Sequence, residues 1–168
     1  TLVWDSEREE LVDSWLSLDG TLVNCAGGDV GSKGVTADHA GKPAGNDAIQ
    51  ISLEDIRTVL DRNIMTCILC CREVAPEMMA RKAGSIVNIG SIAGLNGNIS
   101  EAIYSTAKAA VHEYTRCLAA LLRPYNVAAN VVAPGPTVTP RFIASRPVED
   151  EMMVKVLFWR GSPINIDL

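Results

Sequence analysis

Residues 84–135 read GSIVNIGSIAGLNGNISEAIYSTAKAAVHEYTRCLAALLRPYNVAANVVAPG. An apolar run stands near each end, at 85–89 and 127–133. Between them lie a loop over 91–100 and a long helix-forming stretch from about 101 to 122, which Pro124 stops. Pro134-Gly135 closes the second run. Two nearly all-apolar strands joined through a long helix predict a parallel sheet. Parallel strands are buried on both faces, and their connection must cross back over the sheet.

Working toward the amino end, 21–25 reads as a third apolar strand, closed by Ala26-Gly27-Gly28. Residues 28–50 show no period and read as a long loop. Ser52 then caps a second long helix, with Asp55 at the capping-box position. It runs to about Ala80 and ends in Arg81, Lys82 and Gly84. Nearer the start, Ser6 followed by Glu9 predicts a helix over about 5–16. Toward the carboxyl end, a short apolar helix is expected near 149–158, where Met152, Met153, Leu157 and Phe158 suggest a lid. The expected organisation is a single partial domain over 1–168, with strands 21–25, 85–90 and 127–133 as parallel neighbours.

Composition narrows the class. With 48% hydrophobic and 21% charged residues, the chain reads as globular rather than disordered. Its net charge of -5 and the absence of a basic run argue against nucleic acid as partner. No apolar run approaches the roughly 18 residues of a membrane span, and no signal peptide is read. Five cysteines, an odd number without framework spacing, read as reduced thiols in a cytoplasmic protein. Cys67, Cys70 and Cys71 share one helix face, where core packing is expected rather than a metal site. The chain opens on Thr1, so it is read as a possible piece of a longer protein.

In such sheets, ligands sit outside the carboxyl ends of the strands. Those ends are Asn24-Cys25-Ala26-Gly27, Gly90-Ser91 and Pro134-Gly135, small enough for a flat ligand to approach the backbone. Tyr104 and Lys108, four apart near the start of a helix, share a face. A phenol is a poor base near neutrality because its pKa is about 10. A neighbouring ammonium favours the phenolate and lowers that value, so the pair can exchange a proton with an alcohol or carbonyl oxygen. Ser91, thirteen residues before Tyr104, stands at a strand end where its hydroxyl can bond the same oxygen. Asn63 is a polar residue inside an apolar helix, either functional or a satisfied buried amide.

Together these segments resemble the short-chain dehydrogenase/reductase family, over about 24–160. Asn24-Cys25-Ala26-Gly27 is similar to the family's Asn-Asn-Ala-Gly, with Cys in the second Asn place. Asp61-Arg62-Asn63 resembles the segment of the active-site Asn, and Gly84 to Ser91 the strand of the catalytic Ser. Tyr104-Ser105-Thr106-Ala107-Lys108 resembles the Tyr-x-x-x-Lys core, and Pro134-Gly135-Pro136-Thr137-Val138-Thr139 the segment beside the nicotinamide. The resemblance implies an oxidoreductase passing a hydride between NAD or NADP and a small alcohol or carbonyl compound. It makes Tyr104 the general acid/base. Lys108 lowers its pKa and holds the nicotinamide ribose, Ser91 orients the substrate oxygen, and Asn63 supports a water leading to Lys108. Asn24, Ala26, Gly27, Pro134, Gly135 and Thr139, with Tyr104 and Lys108, would line the cofactor.

The resemblance also implies a doubly wound, Rossmann-like sheet that is incomplete here. The family's first strand, glycine-rich turn and helix, which bind the pyrophosphate, are not found. Gly90 to Gly97 has glycines after a strand, but at the wrong spacing. The residues that choose between NAD and NADP would follow the missing second strand. A homo-oligomer is expected through the two long helices, with Ile64, Ile68 and Val111 facing a partner. The rival reading is an inactive fragment serving as a dimerising or binding module. A serine hydrolase is disfavoured, because Ser91 lacks the Gly-x-Ser-x-Gly setting and neither His39 nor His112 has a suggestive neighbourhood. His112 reads as a polar residue on a helix face.

Overall fold

The computed structural model describes residues 3–5, 10–12, 20–28, 47–97 and 100–135. Its strands are β1 (Val3–Asp5), β2 (Glu10–Val12), β3 (Thr21–Asn24), β4 (Gly84–Ile89) and β5 (Val127–Val132). The helices are α1 (Leu53–Leu60), α2 (Thr66–Arg81) and α3 (Ala102–Leu122). His39, Thr139 and the expected helix at 149–158 lie outside the described residues.

The three apolar runs form one parallel sheet in the order β3-β4-β5. Thr21 to Asn24 pair with Ser85 to Asn88, and Gly84 to Ile89 with Val127 to Val132. This is the expected arrangement, with β4 central. The helix expected from residue 5 is corrected: β1 and β2 pair antiparallel, Val3 opposite Val12. That expectation rested on a local capping box, whereas Val3-Trp4 and Leu11-Val12 are residue types suited to an extended chain.

Ser52 caps α1 as read: its hydroxyl accepts the Asp55 N–H at 3.0 Å and donates to the Asp55 carboxylate at 2.8 Å. The helix continues into α2 through a wider π turn, Asp61–Met65, that local sequence did not signal. Its carboxyl end falls at Arg81, as read. The left-handed cap residue is Lys82 (φ 54°) rather than a glycine. The Lys82 carbonyl accepts the Asn126 side-chain amide at 3.0 Å, joining the turns that follow α2 and α3.

Both long helices lie on the sheet face to which Leu22, Ile86 and Val127 point. Against these pack Cys67, Cys71, Val74 and Met78 of α2, with Val111, Leu118 and Leu122 of α3. Cys67 and Cys71 are thus core residues, and all five thiols are free. Val111, expected at a partner surface, is in this chain's own core, 1% exposed, and Ile64 packs against the same cluster. Among the described residues, no helix is long and apolar enough to cross a membrane.

Ile86, fully buried at the centre of β4, joins the two helices to the sheet. Ile86→Ala is expected to cost about 2–5 kcal/mol, the usual range for such a truncation. Urea unfolding should show a lower midpoint at unchanged slope. A loss below about 1 kcal/mol would contradict this packing.

Candidate active site

The site grows from the amino-terminal turns of α3. Tyr104 and Lys108 leave the same helix face one turn apart, and the Lys108 ammonium stands 5.8 Å from the centre of the Tyr104 ring. Val59 of α1 and Ala107 form a small buried cluster against which Leu60, Ile103 and Tyr104 pack, seating the ring. Lys108 is itself buried. Its Nζ donates to the Ile89 carbonyl at the end of β4, at 2.9 Å. Burial pushes the Lys108 pKa below its ordinary value, and the nearby Cys67 and Cys25 thiols oppose that shift.

Asn63 occupies the middle of the π turn and is 1% exposed. Its Oδ1 accepts the Gly28 N–H at 3.1 Å, while its Nδ2 donates to the carbonyls of Gly28 and Val59, each at 2.8 Å. Of the two readings left open for its side chain, the satisfied buried amide describes these bonds, and they hold the glycine turn after β3. The Thr66 hydroxyl donates to the carbonyls of Arg62 and Asn63, at 2.9 and 3.3 Å.

The turn after β3 meets these groups directly. A Cβ on Gly27 would stand 2.6 Å from Asn63 Oδ1 and 2.9 Å from Lys108 Nζ, so backbone, amide and ammonium converge where only a hydrogen fits. Ala26 is exposed. Asn24 is bonded within the sheet. Its side chain donates to Asn88 Oδ1 at 2.7 Å and contacts Cys71 Sγ at 3.2 Å, tying β3 to β4.

Ser91 stands two residues beyond Ile89, the last residue of β4, and its Oγ accepts the Ala93 N–H at 3.1 Å. The next residue, Ile92, donates its N–H to the Pro134 carbonyl at 3.1 Å, which sets the Pro134-Gly135 turn beside the Ser91 turn. The structure therefore brings Asn63 and Lys108 together at Gly27, places Lys108 by Tyr104, and lays Pro134 along the Ser91 loop. Thr139 lies outside the described residues.

Sequence reasoning missed three supporting residues. Asn88, fully buried, donates to Thr115 Oγ1 at 2.9 Å, and Thr115 donates to the Val111 carbonyl at 2.7 Å. His112 is buried against the end of β4 rather than displayed on a helix face. The available signal was spacing: Lys108, His112 and Thr115 continue the stripe begun by Tyr104.

A parallel sheet with its crossover helices packed on it, and small residues at its strand ends, defines an α/β protein of the Rossmann-like class. The chain belongs to the short chain dehydrogenase family, whose sequence model matches residues 8–150. It is 39% identical to a 3-oxoacyl-[acyl-carrier-protein] reductase of Synechocystis over 60% of this chain and 41% of that protein. It is 37% identical to a cyclohexanol dehydrogenase of Rhodococcus over 76% of this chain and 44% of the relative. Among solved structures, a 3-oxoacyl-[acyl-carrier protein] reductase of Brucella melitensis with bound NAD superposes with a TM-score of 0.61. That match has 31% identity and covers 71% of this chain and 43% of the other. The chain thus spans somewhat under half the length of these relatives.

Proposed function

We propose that this chain carries the catalytic segment of an oxidoreductase that interconverts an alcohol and a carbonyl compound with NAD or NADP. The observation that carries the reading is the seating of Lys108. Its ammonium is buried, bonded to Ile89, faces the Tyr104 ring and abuts the Gly27 turn. An ammonium in that place favours the charged form of an acid beside it, and on that ground we assign Tyr104 as the acid/base group. Tyr104 then exchanges a proton with the substrate oxygen, and the Ser91 hydroxyl bonds and orients that oxygen.

The residues present fit the nicotinamide end of the cofactor. Ala26 in the turn after β3 is exposed, and Lys108 offers a buried cation beside that turn. We assign Asn24, Pro134, Gly135 and Thr139 to the same cofactor site; Asn24 ties β3 to β4, and the Pro134 carbonyl accepts the Ile92 N–H. When bound, the cofactor supplies or accepts the hydride. Asn63 fixes the Gly28 backbone. We assign it the further role of supporting a water that connects Lys108 to solvent. Five free thiols suit a reducing cytoplasm, and a homo-oligomer is the expected assembly.

The test is turnover by the full-length protein against a panel of small alcohols and ketones, each with NAD(H) and NADP(H), followed by nicotinamide absorbance. Cofactor-dependent turnover with at least one pair is expected. A well-folded protein that neither turns over nor binds either cofactor by calorimetry would discard the reading.

A further inference from the structure

Lys108, His112 and Thr115 follow one another along the sheet-facing stripe of α3, and each engages a polar group at the carboxyl end of β4. Thr115 takes the Asn88 side chain and Lys108 takes the Ile89 carbonyl, each at 2.9 Å. His112 Nε2 accepts the backbone N–H of Ser91 at 3.3 Å. The first two bonds belong to the scaffold and the site already described. The third has no part in that chemistry, yet it falls on the residue whose hydroxyl is to meet substrate.

The fit around His112 is close. The residue is 3% exposed, and a Cβ on Gly90 would stand 2.1 Å from its Nε2. The imidazole therefore lies against the backbone at the one residue type that leaves it room. Ser91 is held at two points, its N–H on His112 and its Oγ as acceptor from Ala93. The backbone bond fixes the peptide from which the Ser91 side chain departs. Without it, a partly buried N–H would lose its partner and the turn would be free to shift.

We propose that His112 is a positioning residue for Ser91: its neutral imidazole accepts the Ser91 N–H through Nε2 and so sets where the Ser91 hydroxyl stands relative to Tyr104 and Lys108. The inference rests on the Ser91–Tyr104–Lys108 reading above, and His112 itself touches no substrate. An imidazole can accept only through an unprotonated nitrogen, so its proton is on Nδ1. Burial favours this neutral form, as do the positive charges of Arg116 and Lys108 on the same helix. From the strand end, Gly90 and Ser91 face the ring and carry no charge.

The test compares His112→Leu and His112→Gln in the full-length protein, with ring nitrogen NMR on the unaltered chain. Leu keeps apolar bulk without an acceptor, whereas the Gln Oε1 can reach the Nε2 position. His112→Leu is expected to lower kcat about tenfold with the cofactor KM changed by less than about twofold, and His112→Gln to recover most of the loss. A generic packing defect would not be rescued by the acceptor. The NMR spectra should show Nε2 unprotonated, and they decide the matter even if the Leu chain does not fold. Unchanged kcat in a folded Leu variant, no recovery in Gln, or a protonated Nε2 would overturn the proposal. Tyr104→Phe in the same assay separates the two ideas. Surviving turnover there discards the Ser91–Tyr104–Lys108 reading and the positioning role with it, while a protonated Nε2 discards the positioning role alone.

Discussion

Tyr104→Phe is expected to lower kcat by about two to four orders of magnitude, the usual contribution of a positioned acid/base group. The change removes one oxygen and nothing else. The ring would keep its packing against Val59, Ala107, Leu60 and Ile103, so the thermal midpoint should move by little. Cofactor binding should survive, because Lys108 keeps its bond to the Ile89 carbonyl with or without the phenol. Steady-state kinetics beside a thermal melt checks this. A Phe variant within tenfold of the parent kcat would remove Tyr104 from the chemistry. A large drop in melting temperature would mean that the hydroxyl serves the fold.

The second large effect is expected at Lys108, where one side chain holds three relations at once. Its ammonium bonds Ile89, faces Tyr104 and abuts the Gly27 turn beside Asn63. Lys108→Ala should lower kcat about a hundredfold or more, because Tyr104 loses the ammonium beside it. The cofactor KM should rise together with this loss, by about tenfold, or ~1.4 kcal/mol. Stability is set by opposing effects. A charge-assisted hydrogen bond of about 1.5–3 kcal/mol is lost, while the cost of burying an ammonium, visible in its depressed pKa, is relieved. The net change in unfolding free energy should therefore be small beside the kinetic loss. Lys108→Met, which keeps most of the stem, separates charge from packing. If Met restores kcat, the electrostatic role of Lys108 is wrong.

Much of this site was legible because its key pair is local. Tyr104 and Lys108 share a helix, and four-residue spacing fixes a common face whatever surrounds it. The capping box at Ser52 and Asp55 was legible for the same reason, and the structure reproduces it. A similar motif at Ser6 and Glu9 misled, since capping boxes state a local preference that the pairing of Val3–Asp5 with Glu10–Val12 overrides. Asn63 stood out as a polar residue on an apolar helix. Its partner Gly28 lies 35 residues away, so no local pattern could name it.

Sequence alone determined the three apolar strands, their parallel neighbourhood, the two long helical stretches, and the small residues and Tyr-Lys pair at one end of the sheet. These follow from periodicity and spacing, which act over a few residues and survive any packing arrangement. Only the tertiary structure decided how the polar stripe of α3 is used. Ser91 and His112 are 21 residues apart, Asn88 and Thr115 are 27, and Asn24 and Asn88 are 64. Whether a buried polar side chain finds a partner across such distances depends on the register of the strands, the rotation of the helix above them and the depth of each group. A one-residue slip of register would turn Asn24 or Asn88 to the other face. The choice of partner is therefore made when the layers pack, because a buried polar group left unpaired costs more than most local preferences contribute.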